Sequence, residues 1–362
     1  MISNRRLSLA RALIVALFSA FVLSAQAFAA PGFVVTDALG RKVAFKEAPK
    51  RIAVTGKALF MIADAIYLFP EAGSRIVALG NTFQGKLSFA KAVDPTFADK
   101  MALDNNAGAE QIAAANPDAV ILKSSMAGSV GKAVETLGIP VVYVDFETPE
   151  QYVRDLATLG LIFQNEARAK ELVAAFQARV DRAAKALSGL GESQKPRVLV
   201  LYYNEQGGTV SFNVPPLGWM QSTQVNLAGG RAAWEGAQLG QGWTKVTIEQ
   251  IASWDPDQVY IIAYTVKPED VVAKLKADPQ WAGLAAVKKG ALYGFAGDFY
   301  SWDQPDPRWI LGVDWLAAKL HPDRFPGFDM KADIKAFYRD FYAMDDAAYK
   351  AAIEPYLGSA LR

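Results

Sequence analysis

One short pattern occurs twice in this chain. Glu110-Gln111-Ile112-Ala113 leads to Pro117-Asp118 and the apolar run Ala119-Val120-Ile121-Leu122; Glu249-Gln250-Ile251-Ala252 leads, at the same offsets, to Pro256-Asp257 and Gln258-Val259-Tyr260-Ile261. Each copy reads as a short helix, a Pro-Asp break and a buried strand. A repeat spaced this widely in 362 residues predicts two lobes of like construction.

The surrounding pattern agrees. Arg51–Val54, Ile76–Leu79, Ala119–Leu122 and Val141–Val144 are short apolar runs separated by helix-like stretches. They are continuous rather than alternating, the look of parallel strands buried on both faces. Arg197–Leu201, Val259–Ile262 and Ala291–Tyr293 supply strands for the second lobe. Ahead of them all, Phe33–Thr36 and Arg41–Phe45 flank Asp37-Ala38-Leu39-Gly40, a turn sequence that predicts a hairpin.

Between the lobes, Asn165 is placed to cap a helix over 166–188, with Leu172, Phe176, Val180, Ala183 and Leu187 on one stripe and Gly189 to end it. The expected class is α/β: two doubly wound, Rossmann-like lobes joined by one long α-helix, with a ligand cleft between them. The expected boundaries are a leader over 1–29, a first lobe over 30–162, the linking helix over 163–190 and a second lobe over 191–362.

The leader rests on Arg5, Arg6 and Arg11, the apolar run from Ala12 to Leu23, and Ala27-Phe28-Ala29, the small-x-small pattern of a cleavage site. The run is shorter than the ~20 residues of a membrane span. With no Cys the chain has no lipoprotein attachment site, and the expected product is a periplasmic protein cut near Ala29. The absence of Cys also excludes disulfides, thiolate metal sites and thiol nucleophiles, and one His leaves no multi-histidine site. His321 follows a helix-like segment, where a cation suits the helix dipole and no ligand role is needed. A net charge of +1 lacks the basic footprint of a nucleic-acid binder. No cofactor is expected: Gly56-Lys57 lacks the upstream Gly of a phosphate loop, and no Gly-x-Gly-x-x-Gly follows a strand.

In open α/β sheets, ligands sit at the carboxyl ends of the strands. In the first lobe those tips offer Lys57, Phe83, Lys123 and Ser124; in the second, Tyr203, Tyr264, Tyr300 and Trp302. Trp219, Arg231, Trp234 and Trp243 fall in the Gly-rich stretch between strands, read as a long loop beside the cleft. Aromatic faces suit a large or ring-bearing ligand, and cationic side chains suit an anionic chelate.

The chain resembles the periplasmic substrate-binding proteins of iron-siderophore and cobalamin ABC importers, the helical-linker class. The resemblance spans nearly all of the mature chain and rests on the order of its parts: Val35–Val43, Pro49–Ile52, both Glu…Pro-Asp units, Leu137–Val141, Ala228-Gly229-Gly230, Asp278–Trp281 and Leu311–Ala317. It implies a monomer that captures a ferric-siderophore-type chelate and delivers it to the permease dimer of an inner-membrane ABC importer. It implies too that Glu110 and Glu249, one acid per lobe, dock with permease arginines. A corrinoid such as cobalamin, haem or an oxyanion such as molybdate are the alternative ligands; haem is disfavoured because the first-lobe tips hold no Tyr or His. An exported two-lobed enzyme, with carboxylates such as Asp145 and Glu147, is the alternative of another class.

Overall fold

The computed structural model describes residues 32–83, 87–358 and 361. The leader, and Gln84 beside the Phe83 tip, lie outside the described residues. The predicted hairpin forms from β1 (Phe33–Thr36) and β2 (Lys42–Phe45). Its turn closes with Gly40 N–H on Asp37 O at 2.9 Å, while the Asp37 carboxylate accepts from the N–H groups of Leu39 and Arg41.

The first lobe is a five-stranded parallel sheet of β3 (Ile52–Val54), β4 (Ile76–Leu79), β5 (Met101–Ala102), β6 (Ala119–Lys123) and β7 (Val141–Val144), in the order β5-β4-β3-β6-β7. The order reverses between β3 and β6, so their following loops diverge and leave a crevice at the carboxyl edge.

The second lobe holds β8 (Arg197–Gln206), β9 (Thr209–Val214), β10 (Arg231–Ala232), β11 (Thr244–Val246), β12 (Gln258–Ile262) and β13 (Leu292–Gly294). Strands β8, β12 and β13 are parallel neighbours, and β10 adds to the start of β8. Here the sheet departs from the expected parallel pattern. Strand β8 runs on to Gln206 and folds back antiparallel as β9, with β11 beyond it. Gly207 and Gly208 have φ of 55° and 77°, the paired positive values that a two-residue hairpin turn requires.

The repeat is one structural device used twice. The carboxylate of Asp118 accepts from the N–H of Arg51 at 2.9 Å, and Asp257 accepts from the N–H of Arg197 at 2.7 Å. Each Asp thus pins the start of its lobe's central strand against the neighbour it introduces. Asn116 and Asp255, matching positions before each Pro-Asp, both adopt left-handed backbone, with φ of 47° and 42°.

Among the helices used below, α1 is Phe60–Ile66, α2 Ala109–Ala114, α3 Pro149–Phe163, α4 Glu166–Ala186, α5 Met220–Leu227, α6 Ile248–Trp254, α7 Trp309–Leu320 and α8 Met330–Tyr342. The linking helix α4 begins where Asn165 Oδ1 accepts from Arg168 N–H, and its 21 residues span about 32 Å. Leu172, Phe176 and Ala183 are buried as the stripe predicts. Arg179 is buried too, held by Asp314 of α7 and Asp333 of α8 at 2.8 and 2.7 Å.

The tail does not stay with the second lobe. Arg168 donates to the carbonyls of Asp340 and Phe341, and Tyr342 Oη donates to the carbonyl of Asp64 in α1. One hydrophobic cluster consequently runs from Val35 to Leu361 through both lobes.

Candidate functional site

The segment that follows β13 bridges the two lobes. Tyr300 Oη in that segment donates to the carbonyl of Thr82 at 2.8 Å and accepts from Phe89 N–H at 3.0 Å. Its ring lies 4.6 Å from that of Phe60. Tyr152 Oη donates to Pro305 O at 3.2 Å. Arg308 reaches Asp64. These contacts join the lobes at the base of the expected cleft, whose walls would be the strand tips.

On the first wall, the tips of β3 and β6 touch. Gly56 has a φ of 128°, and a Cβ there would stand 2.5 Å from Met126 Sδ, so only glycine lets the two loops approach. Lys57 is exposed. The Lys123 side chain is mostly buried and pairs with Glu147, which offsets its charge. The half-buried Ser124 hydroxyl donates to Asp145, which also pairs with Arg154 at 2.7 Å. Phe83 is 37 % exposed at the rim, with Lys91 Nζ 4.7 Å from its ring centre.

On the second wall, four rings form a continuous face. Tyr264 lies 4.7 Å from Tyr202, Tyr202 is 5.1 Å from Trp243, and Trp243 meets Trp219 edge-on at 5.6 Å. Trp219 is 37 % exposed; Trp243, Tyr202 and Tyr264 are half-buried. Tyr264 Oη donates to Asp303 at 2.7 Å behind this face.

Some expected residues are placed elsewhere. Tyr203 points to the opposite side of β8 from Tyr202, because successive strand residues alternate, and its hydroxyl donates to Glu205. Of these two tip residues, Tyr202 joins the rings and Tyr203 packs against Phe212 instead. Arg231 pairs beside Arg197 at the amino end of β8, the edge away from the tips. Trp234 is fully buried, its indole N–H given to Pro215 O at 2.8 Å. Trp302 is also fully buried, and Tyr300 joins the lobes rather than lining the space between them. The stretch read as one cleft-side loop is instead divided among α5, β10 and β11, which explains the scatter.

Residues that the sequence did not single out are Asp298, Asp303, Asp306 and Arg308. All four lie among Phe, Tyr, Trp and Pro residues in Asp298–Arg308, and Asp303, Asp306 and Arg308 are wholly buried. Charges set in such an aromatic context were the available signal for a buried polar network. Burial raises the Asp64 carboxyl to about 7, against the pull of Arg308, and raises Asp303 and Asp306 to about 6.

Glu110 and Glu249 both lie exposed in the first turn of α2 and α6, each leading into β6 or β12. Thr247 and Gln250 cap α6 reciprocally, and the Thr247 hydroxyl lowers the Glu249 carboxyl. His321 caps the end of α7, its Nε2 3.1 Å from Gly229 O. Two open hollows of about 510 and 620 Å³ lie away from the tips, one by Arg51 and Lys100, the other by Lys331 and Tyr349. No group of three potential metal ligands occurs among the described residues. Nor is any helix among them long and apolar enough to cross a membrane.

Comparison with known proteins gives the same architecture. The chain is 23% identical over 352 residues to the molybdate-binding protein MolA of Haemophilus influenzae, across 90% of this chain and 95% of that protein. A periplasmic solute binding protein from Veillonella parvula superposes with a TM-score of 0.70 at 25% identity, over 89% of this chain and 96% of the other. Helicobacter pylori CeuE, in a Ni-His complex, does so at 0.68 and 20% identity, over 89% and 99%. The family profile described as "Periplasmic binding protein" matches residues 91–298. With two α/β lobes, a helical link and a match over more than half its length, the chain belongs to the periplasmic binding protein family, the solute-binding components of ABC importers.

Proposed function

We propose that this protein captures an anionic metal chelate of the ferric-siderophore class and hands it to an inner-membrane importer. The observation that carries the reading is the four-ring face of Trp219, Trp243, Tyr202 and Tyr264 in the second lobe, together with the exposed Lys57 at the β3 tip of the first. Flat aromatic surface binds organic rings and chelate arms, and the cation complements their charge. A chelate brings its own metal ligands, so the site needs none from the protein.

A second reading is an oxyanion such as molybdate. What favours it is the alignment with MolA over nearly its whole length. Tryptophan fluorescence titration separates the two. Saturable quenching by a ferric siderophore, without response to molybdate, supports the first; the reverse pattern replaces it with the second. Cobalamin and haem belong in the same series.

Residues 1–29 are proposed to direct export, with the mature protein starting near Ala30. Glu110 and Glu249 are proposed to face the permease. The repeat gives them matched places on two helices, which suits a partner that is itself two-fold.

A further inference from the structure

Asp303 is an unusual carboxylate. It is wholly buried in the second lobe, directly behind the aromatic face, and no cation pairs with it among the described residues. Its Oδ2 accepts from Tyr264 Oη at 2.7 Å and from Gln221 Nε2 of α5 at 2.9 Å. Its Oδ1 has no partner, nor has the Gln221 Oε1. A buried, unpaired carboxylate is costly, and such groups concentrate at functional sites.

What Asp303 does is set by what it holds. The segment bearing it is anchored from below by Gln224, whose amide donates to the carbonyls of Trp302 and Trp309 at 2.6 and 2.9 Å. A rigid acceptor therefore fixes the Tyr264 hydroxyl, and with it the ring plane on which Tyr202 and then Trp243 stack. We infer that Asp303 is a positioning residue for the ligand: it orients the ring face through Tyr264, and capture weakens when it takes up a proton. This rests on that face being the ligand surface, as proposed above.

The groups facing Asp303 do not oppose this behaviour. Tyr264 and Tyr202 come from the ends of β12 and β8, Asp306 from its own segment, Gln221 from α5 and the Ser301 hydroxyl from the same loop. None is a cation. Burial lifts the carboxyl to about 6, while the nearby Ser301 hydroxyl and the bonds from Gln221 and Tyr264 hold it down from going higher. Protonation turns two charge-assisted hydrogen bonds into ordinary ones of about half the strength.

Fluorotryptophan NMR of the full ligand-free protein, with the Trp243 resonance assigned from Trp243→Phe, reads the ring face without any ligand. The resonance should move with a midpoint near pH 6 in the native chain and stay flat in Asp303→Asn. Should that variant fold poorly, Gln221→Ala serves: loss of its bond to the ionised form must shift the midpoint upward. An iron(III) trihydroxamate chelate and molybdate are the binding probes, measured at about pH 5 and about pH 7.5. Native affinity for the bound probe should fall severalfold at the lower pH, and Asp303→Asn should lose that dependence. A Trp243 resonance that is flat across this range in the native protein, or one that still titrates in Asp303→Asn, overturns the inference. If neither probe binds but the resonance behaves as stated, the proposed ligand class fails and the hold of Asp303 on the rings stands.

Discussion

Arg308 Nη1 and Asp64 Oδ2 lie 2.8 Å apart, on opposite lobes, with neither side chain exposed. Asp298 and Asp306 also contact the guanidinium, at 3.0 and 3.1 Å, and Tyr338 Oη accepts from Nε at 2.9 Å. One oxygen each of Asp64 and Asp306 and the Nη2 of Arg308 have no partner. Three carboxyls around one cation leave negative charge in excess, so the cluster is most comfortable with a proton in it.

Removing the cation should therefore hurt more than removing one acid. Arg308→Met leaves the carboxyls buried without compensation and should cost about 3–5 kcal/mol in urea unfolding. Asp64→Asn keeps the shape and reduces the excess charge, so its loss should be clearly smaller. Equal losses would mean that packing, not charge, holds this junction.

The same cluster gives stability a pH slope. The folded Asp64 carboxyl holds its proton to about 7, against an ordinary value of 3.8, and Asp306 holds its own to about 6. Between those limits the folded protein binds more protons than the unfolded chain, so stability falls as pH rises from about 4 to about 7 and then levels. Calorimetry should find a higher Tm near pH 5 than near pH 8. Asp64→Asn should remove its own part of the difference, leaving that of Asp306 and Asp303.

Two tryptophans should separate binding from folding. Trp243 is half-buried and packs between Tyr202 and Trp219 in the ring face, so Trp243→Ala should weaken ligand affinity severalfold, a loss of about 1 kcal/mol, with a near-native Tm. Trp302 is wholly buried, and Trp302→Ala should cost about 3–5 kcal/mol of stability. The comparison is read by fluorescence titration and by thermal unfolding of the same two samples.

Glu110→Arg and Glu249→Arg should leave ligand affinity nearly unchanged, since both side chains are exposed at helix starts. Uptake in cells should fall for each and fall further for the pair, because the reversed charge repels a cationic docking surface. Normal uptake by the double variant at native abundance would remove both residues from the docking role.

Much of the architecture was legible because it is periodic. The Glu…Pro-Asp units, the unbroken apolar strands and the Asn165-capped helix each signal through local spacing, and all three appear where expected. The hairpin of β8 and β9 was missed although Gly207-Gly208 marked its turn, and only the alternation along β8 decides that Tyr202 and not Tyr203 joins the rings. The floor between the lobes was not legible. Asp64, Tyr300 and Arg308 meet through tertiary packing, and no spacing along the chain announces a partner so far away.

That distance has a consequence for the order of assembly. Asp64 and Arg308 are separated by 244 positions, and Tyr342 closes over the same helix from farther still. The first lobe is made early but carries a buried acid whose counter-charge is made almost last. Until the tail arrives, α1 has neither its cation nor its cover, and the lobe emerging alone is an unfinished object. Long-range closures of this kind slow folding. The first lobe should therefore gain its full stability only once the last helices have docked on it.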